Sequence, residues 1–248
     1  MTVRGAILIT GASRGIGAAI ARAAAAAGYA VGINYINSET AAQALADEIS
    51  GAGGKAITLQ ADVSVSADVD RMFEVFDAEL GTMAGLVNNA GIDGGASDFA
   101  DLPLATMNSV VGTSLLGAMY CAQEAIRRMA ISRGGNGGAI VNVSSQTATF
   151  GGNRISAYAA AKAGLNGFTV GLAREVIGDG VRVNAVSPGI VATDMFDQRS
   201  AADKERILSG LPIGRACTPD EIAATILWLL DGAPEYLSGT VVPVAGAR

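Results

Sequence analysis

Thr10-Gly11-Ala12-Ser13-Arg14-Gly15-Ile16-Gly17 is the stretch on which the reading of this chain turns. It follows the apolar run Ala6-Ile7-Leu8-Ile9, which has the composition of a buried strand. It precedes a helical pattern over Ala18–Ala27. A glycine turn in this place suits a dinucleotide pyrophosphate. Gly11 permits the tight turn, Gly15 lets the backbone approach the phosphates, and Gly17 allows close helix–strand packing. The phosphates would rest on free N–H groups at the positive end of the helix. The same glycines could serve a plain tight connection, but their position after the first strand favours the dinucleotide site.

Outward from this loop the chain alternates. Strand-like runs at Val31–Asn34, Ala56–Gln60, Leu86–Asn88, Ile140–Val143, Val181–Val186 and Thr240–Val244 join the first strand. Helical patterns lie between them near Glu39–Gly51, Ala67–Leu80, Leu104–Ser132, Ala157–Ile177, Ala201–Leu208 and Pro219–Leu230. Strict alternation predicts an α/β chain: a doubly wound Rossmann-type domain, its seven-stranded parallel sheet covered by helices on both faces. Length and the lack of a linker predict a single domain over 1–248. Gly134–Gly138 is a local loop.

Composition narrows the function. Half of the 248 residues are hydrophobic and only 16% are charged, enough for a large core and a hint of surface buried between subunits. A net charge of −6, without a basic stripe, argues against nucleic acid. No apolar run is long enough for a membrane span. Met1–Arg4 runs straight into the first strand, which leaves no room for a signal peptide. Cys121 and Cys217 lack metal-type spacing and are expected as free thiols in a reducing cytoplasm. The chain has no histidine, so Ser-His-Asp and Cys-His catalysis are excluded and proton transfer needs another side chain.

These motifs, in this order, make the chain similar to the short-chain dehydrogenase/reductase family from Ala6 to about Val244. The residues that carry the resemblance are the Gly-x3-Gly-x-Gly loop, Asp62-Val63, Asn88-Asn89-Ala90-Gly91, Tyr158-x3-Lys162 and Pro188-Gly189. The resemblance implies an NAD(P)-dependent oxidoreductase acting on CH–OH or C=O groups. Ser13, Arg14 and Ile16 join the loop glycines at the cofactor. Asp62 and Val63 are expected at the adenine, with a role for Asp62 as cap of the following helix also open. Asn89, Ala90 and Gly91 are expected beside the riboses, and Pro188, Gly189, Val191 and Thr193 beside the nicotinamide. Val31-Gly32-Ile33-Asn34-Tyr35 carries no acidic residue for a ribose 2′-hydroxyl. Arg14, Asn34, Tyr35, Asn37 and Ser38 are therefore read as a 2′-phosphate site, and NADP(H) is expected over NAD(H). Arg14 could also be an ordinary solvated loop charge.

Tyr158 and Lys162 lie four apart at the start of a predicted helix and share a face. Alone, such a pair is a common surface coincidence. After the glycine loop and Ser145, thirteen residues earlier at the end of a strand, it is a candidate acid–base pair. A nearby ammonium favours phenolate and lowers a tyrosine pKa from its usual value near 10. Tyr158 would then give or take the proton, Ser145 would bond the substrate oxygen, and Lys162 would also hold the ribose, as the resemblance implies. Ser144, adjacent on the strand, points to the other face. Where many family members carry an asparagine for a proton path to solvent, this chain has Ser114. Either Ser114 serves with an extra water or the position is inert.

The substrate loop is expected near 193–211, with Phe150, Ile155, Met195, Phe196 and Leu211 as lining. Arg127, Arg128 and Arg133 are candidates for a carrier site, while Arg154, Arg199, Lys204 and Arg206 are expected to be solvated. The wording is similar to both 3-oxoacyl-thioester reductases and glucose 1-dehydrogenase-like sugar or polyol dehydrogenases. A non-catalytic NADP-binding or scaffold protein is the alternative of another class. A small-molecule substrate and a homotetramer are the expected partners.

Overall fold

The computed structural model describes residues 4–193, 196 and 200–247, with the backbone alone at 202 and 203. Seven strands form one parallel sheet in the order β3-β2-β1-β4-β5-β6-β7. They are β1 (Ala6–Ile9), β2 (Ala30–Tyr35), β3 (Lys55–Gln60), β4 (Met83–Asn88), β5 (Gly138–Val143), β6 (Val181–Pro188) and β7 (Val241–Val244). The strand order reverses between β1 and β4. Their loops diverge there and leave a crevice at the C-terminal edge, the place where open α/β sheets bind ligands.

Strand alternation builds two cores. Ile7, Ile9, Val31, Ile33, Val87 and Val141 face α1 (Gly15–Ala26), α2 (Glu39–Gly51) and a late helix at Pro219–Leu227. Ala6, Leu8, Leu86, Ile140 and Val183 face the other layer. That layer contains α3 (Ser66–Leu80), α5 (Gly117–Met129) and α7 (Ser156–Val176). Gly32 has a packing reason to be glycine. A Cβ there would lie 2.9 Å from Leu59 Cδ1 and 3.0 Å from the Phe76 ring. A buried polar chain crosses the second layer. Asn88 Nδ2 donates to Asn142 Oδ1 (2.9 Å), and Asn142 Nδ2 donates to Thr169 Oγ1 (2.9 Å).

The long helix expected over Leu104–Ser132 is broken. α4 covers Leu104–Val111, a π-helical turn covers Gly112–Leu116, and α5 follows. Three glycine or small residues (Gly112, Thr113 and Ser114) fall in this turn. A π-turn commonly marks a functional site. A short helix, α6 (Thr147–Phe150), follows β5, between the expected fifth strand and the next helical pattern. The last helices are α8 (Ala201–Ser209) and α9 (Pro219–Leu227), the latter opened by a Thr218–Glu221 capping box. No helix among the described residues is long and apolar enough to cross a membrane.

Phe73 and Phe76 fill the space between α3 and the sheet with no exposed surface. Phe76→Ala is expected to cost about 3–5 kcal/mol. Urea unfolding at fixed protein concentration checks this, with Val75→Ala, on the exposed face of the same helix, as the control.

Candidate active site

The glycine loop is shaped from three sides. Gly11 and Gly15 take φ of +59° and +56°, a region that favours glycine. Asn34 Oδ1 accepts from the Gly11 N–H (3.0 Å). Thr10 Oγ1 accepts the N–H groups of Asn89 and Ala90 (both 3.0 Å), and Asn89 Nδ2 donates to the carbonyls of Thr10 and Gly11 (both 2.9 Å). A Cβ at Gly17 would sit 2.6 Å from the Gly11 carbonyl and 2.7 Å from Asn89 Nδ2. The loop therefore closes on this helix only with glycine at position 17.

This arrangement fits a dinucleotide. Arg14, at the N-cap of α1, is extended and makes no side-chain cap bond, and the first turn has no acidic residue. The helix N-terminus therefore keeps its positive end open to an anion. Across from it stands Thr193, whose Cγ2 would lie 3.5 Å from a Cβ on Gly15. Thr193 follows a segment pinned at its base. Ala192 N–H donates to the Cys217 carbonyl (2.9 Å) and Cys217 N–H donates to the Ile190 carbonyl (2.8 Å). Val191 is buried in that segment. Behind it, Pro188 accepts the Gln146 N–H and Gly189 packs on Ala245.

Asn34 requires a correction as a phosphate contact. It is 2% exposed, and besides its bond to Gly11 it donates to the carbonyls of Leu59 and Ala61 (both 3.1 Å). It braces the loop from beneath and has no amide group left for a phosphate. Tyr35 is also buried. Asn37 is exposed, and Ser38 stands at the N-cap of α2 without making a side-chain cap bond. Arg14 is exposed beside the loop. Asp62 does not cap α3, whose N-cap is Val65. Its Oδ1 instead accepts from the N–H (2.9 Å) and hydroxyl (2.7 Å) of Ser64, closing a turn ahead of the helix. Val63 is buried, and a Cβ on Gly117 would come within 2.8 Å of it.

Ser145, Tyr158 and Lys162 come together at the end of β5. Ser144 faces inward, its hydroxyl donating to the Lys162 carbonyl (3.3 Å). Ser145 faces the crevice. Its Oγ accepts from the Thr147 N–H (3.2 Å) and hydroxyl (3.0 Å), and it stands near enough to the Tyr158 hydroxyl to favour the phenolate. Lys162 is 2% exposed. Its Nζ donates to the Val143 carbonyl (2.7 Å) and lies 5.7 Å from the centre of the Tyr158 ring. Burial pushes the Lys162 ammonium down to about 8. Burial also pushes the Tyr158 phenol up to about 12, against the pull of the nearby Ser145 hydroxyl and with a push from the Asp93 charge. The lowered tyrosine pKa expected from the sequence is thus reversed, because desolvation of the phenolate outweighs the pull of Ser145.

Ser114 sits in the π-turn, 1% exposed. Its hydroxyl accepts the Ile92 N–H (3.1 Å) and donates to the Ile92 carbonyl (3.2 Å). Gly91, just before, lies against Lys162: a Cβ there would be 3.3 Å from Nζ and 3.4 Å from Ser114 Oγ.

The expected lining divides. Phe150 is exposed and Ile155 half-buried, while Phe196 and Leu211 are buried. Met195 and Arg199 lie outside the described residues. Arg128 is held by Glu124 and Asp77 (2.6 and 2.8 Å) and stacks 4.8 Å from the Phe73 ring centre, and Arg127 also pairs with Glu124. Both are tied into the α3–α5 surface. Arg154 is exposed, as expected, and pairs with the equally exposed Asp98 (3.2 Å). Sequence reasoning missed Asp93 and Thr147. Their signal was position, two residues beyond Asn89-Ala90-Gly91 and two beyond Ser145.

A parallel sheet with its crevice at the switch point, a glycine loop that keeps a helix N-terminus open and a Ser-Tyr-Lys group together define a nicotinamide-dependent oxidoreductase. Comparison with known proteins agrees: residues 11–246 match the family described as enoyl-(acyl carrier protein) reductase. The chain is 40% identical to the uncharacterized oxidoreductase YgfF of Escherichia coli K12 over 244 residues, which is 97% of this chain and 98% of that protein. It is 39% identical over 240 residues to a 3-oxoacyl-(acyl-carrier-protein) reductase of Synechocystis, covering 96% of this chain and 94% of that one. A crystal structure of a dehydrogenase/reductase from Sinorhizobium meliloti 1021 superposes with a TM-score of 0.92 at 31% identity, covering 99% of this chain and 95% of the other. The chain belongs to the short-chain dehydrogenase/reductase family and is an NAD(P)-dependent oxidoreductase.

Gly17→Ala is expected to weaken nicotinamide cofactor binding at least about tenfold, since the loop must move away from the helix to admit the methyl group. Fluorescence titration of the reduced cofactor measures this, with far-UV circular dichroism as the check on folding. Unchanged affinity would contradict the tight packing derived for Gly17.

Proposed function

We propose that this enzyme is an NADP(H)-dependent carbonyl reductase working on 3-oxoacyl-type substrates, with Tyr158 as its acid–base group. The grouping of Ser145, Tyr158 and Lys162 opposite the Gly15–Thr193 gap carries this reading. The bound nicotinamide supplies the hydride in reduction and receives it in oxidation. Gly11–Gly17 and Thr193 would hold the cofactor, and Lys162 would serve its ribose.

Ser145 has both lone pairs engaged by Thr147, so its own proton is free to point at the Tyr158 hydroxyl or at a substrate oxygen. A carbonyl oxygen bound there meets two donors, the Ser145 and Tyr158 hydroxyls. As negative charge grows on that oxygen, Tyr158 gives up its proton and the Lys162 ammonium stabilises the phenolate. In oxidation the same proton returns to Tyr158. A phenol held near 12 is well suited to remain protonated until the substrate oxygen demands the proton. This arrangement disfavours the non-catalytic alternative.

The choice of NADP(H) is supported by β2, which ends without an acidic residue, and by Arg14, Asn37 and Ser38 at the mouth of the loop. The choice of a 3-oxoacyl thioester over a sugar is supported by the name of the relative from Synechocystis. Ser114 is read as a positioning residue, its hydroxyl being shared with the Ile92 peptide. A cytoplasmic homotetramer fits the family, with Trp228, Ile131 and Ile177 among the exposed apolar residues available for contact.

Three outcomes follow from this reading. Tyr158→Phe is expected to lower kcat for acetoacetyl-CoA reduction by about 10²–10⁴-fold while cofactor binding persists. The kcat/KM for reduction by wild type is expected to be level below about pH 8 and to fall above it, as Lys162 loses its proton and its hold on the phenolate. A profile level to pH 10 contradicts the role of Lys162. Finally, kcat/KM is expected to favour NADPH over NADH, and Arg14→Ala to shrink that preference about tenfold; an NADH preference in wild type overturns the cofactor assignment.

A further inference from the structure

The loop that follows β4 brings a carboxylate to the crevice that the acid–base group itself does not require. Gly91 touches Lys162 Nζ, Ile92 is clamped at both its N–H and its C=O by Ser114, and Asp93 comes next. Asp93 is held from the other side as well. Its Oδ1 accepts the Gly95 N–H (3.0 Å). Gly94 has φ of +76°, and a Cβ there would sit 2.7 Å from Val110 Cγ2 and 3.0 Å from Thr106 Cγ2, so it is pressed onto α4. Asp93 thus stands between two fixed points, half-buried. Its second oxygen has no hydrogen-bond partner among the described residues, and no cation pairs with it there. Arg154, on the neighbouring segment, is paired with Asp98. The Asp93 charge is felt at the Tyr158 hydroxyl, where the reacting oxygen must lie.

We propose that Asp93 is a specificity-determining residue: its carboxylate faces the group bound against Ser145 and Tyr158, accepts from a hydroxyl or amide N–H carried near the reacting carbon, and repels an anionic substituent there. The inference rests on the reading of Ser145 and Tyr158 as the site of carbonyl reduction, and it deepens that reading. It assigns the enzyme to neutral 3-oxo compounds, in which the acid function is masked as an ester or thioester, and against free 3-oxo acids. The physical basis is a like-charge interaction in a partly desolvated crevice, where solvent screening is incomplete.

The test compares ethyl acetoacetate with acetoacetate, which share the reacting carbonyl and differ in one negative charge. Asp93→Asn retains the acceptor for the Gly95 N–H and removes only the charge. The ratio of kcat/KM for the acetoacetate anion to that for the ester is expected to rise about tenfold in Asp93→Asn relative to wild type. Asp93→Ser, which can also close the turn, is expected to shift the ratio in the same direction. An unchanged ratio in both variants overturns the proposal.

A second readout does not depend on turnover. The Tyr158 phenolate is titrated by ultraviolet absorbance, as the difference from Tyr158→Phe. Among the described residues, the charged group that acts on that hydroxyl is Asp93, and the Lys162 ammonium lies 5.7 Å from the centre of the Tyr158 ring. Its midpoint is expected to fall in Asp93→Asn, and an unmoved midpoint overturns the placement of the charge. If neither substrate is reduced by any form while the midpoint falls, the 3-oxoacyl reading fails and the placement of Asp93 stands.

Discussion

The bonds between Thr10-Gly11 and Asn89-Ala90 join β1 to β4 at the one place in the sheet where neighbouring loops diverge. A crevice at a switch point exists only because chain leaves it in two directions, so its two walls need fastening below the point where they separate. A threonine hydroxyl and an asparagine amide do this with groups that cannot be spared: Asn89 Nδ2 meets two carbonyls, and Thr10 Oγ1 takes two N–H groups. One wall then becomes the glycine loop and α1. The other becomes Gly91, Ile92 and Asp93. The spacing of the two walls is held by this one fastening, against which Gly11 and Gly17 are packed too closely for a side chain.

The chemistry depends on a second constraint, the burial of Lys162. An ammonium out of water is costly unless paired or hydrogen-bonded. Here it has the Val143 carbonyl, the Tyr158 ring and the small residues around it, Gly91 among them. Burial opposes the charge on both members of the pair, lowering the lysine and raising the tyrosine. Without substrate the site therefore rests as phenol and ammonium at neutral pH. The Ser145 hydroxyl, with its acceptor capacity taken up by Thr147, keeps its own proton for donation.

Much of this was legible in the sequence, and what was not has physical reasons. Apolar runs of strand length and Ala-rich helical patterns alternate so regularly that the parallel sheet follows from periodicity. Ser145 over Ser144 follows from strand alternation. Asn34 was misread because a polar residue at a strand end looks the same whether its amide turns outward to a phosphate or inward to Gly11, Leu59 and Ala61. The π-turn at Gly112–Leu116 leaves no mark in a pattern read at 3.6 residues per turn. The direction of the Tyr158 shift needs burial, which spacing cannot supply. Thr147 and Asp93 were missed because each lies beyond a motif, where the chain was read as a loop.

Ser114 shows how one short side chain can shape the neighbouring wall. A serine hydroxyl reaches only a short way from its helix, yet it binds both polar groups of the Ile92 peptide, so the loop must approach the π-turn closely. Gly91 permits that approach, since any side chain there would meet Lys162 Nζ and Ser114 Oγ at once. The two small residues draw the loop down onto α4, and Gly94 completes the contact against Val110 and Thr106. The short hydroxyl, the glycine beside the lysine and the carboxylate at the rim are therefore one arrangement, joined through the Ile92 peptide.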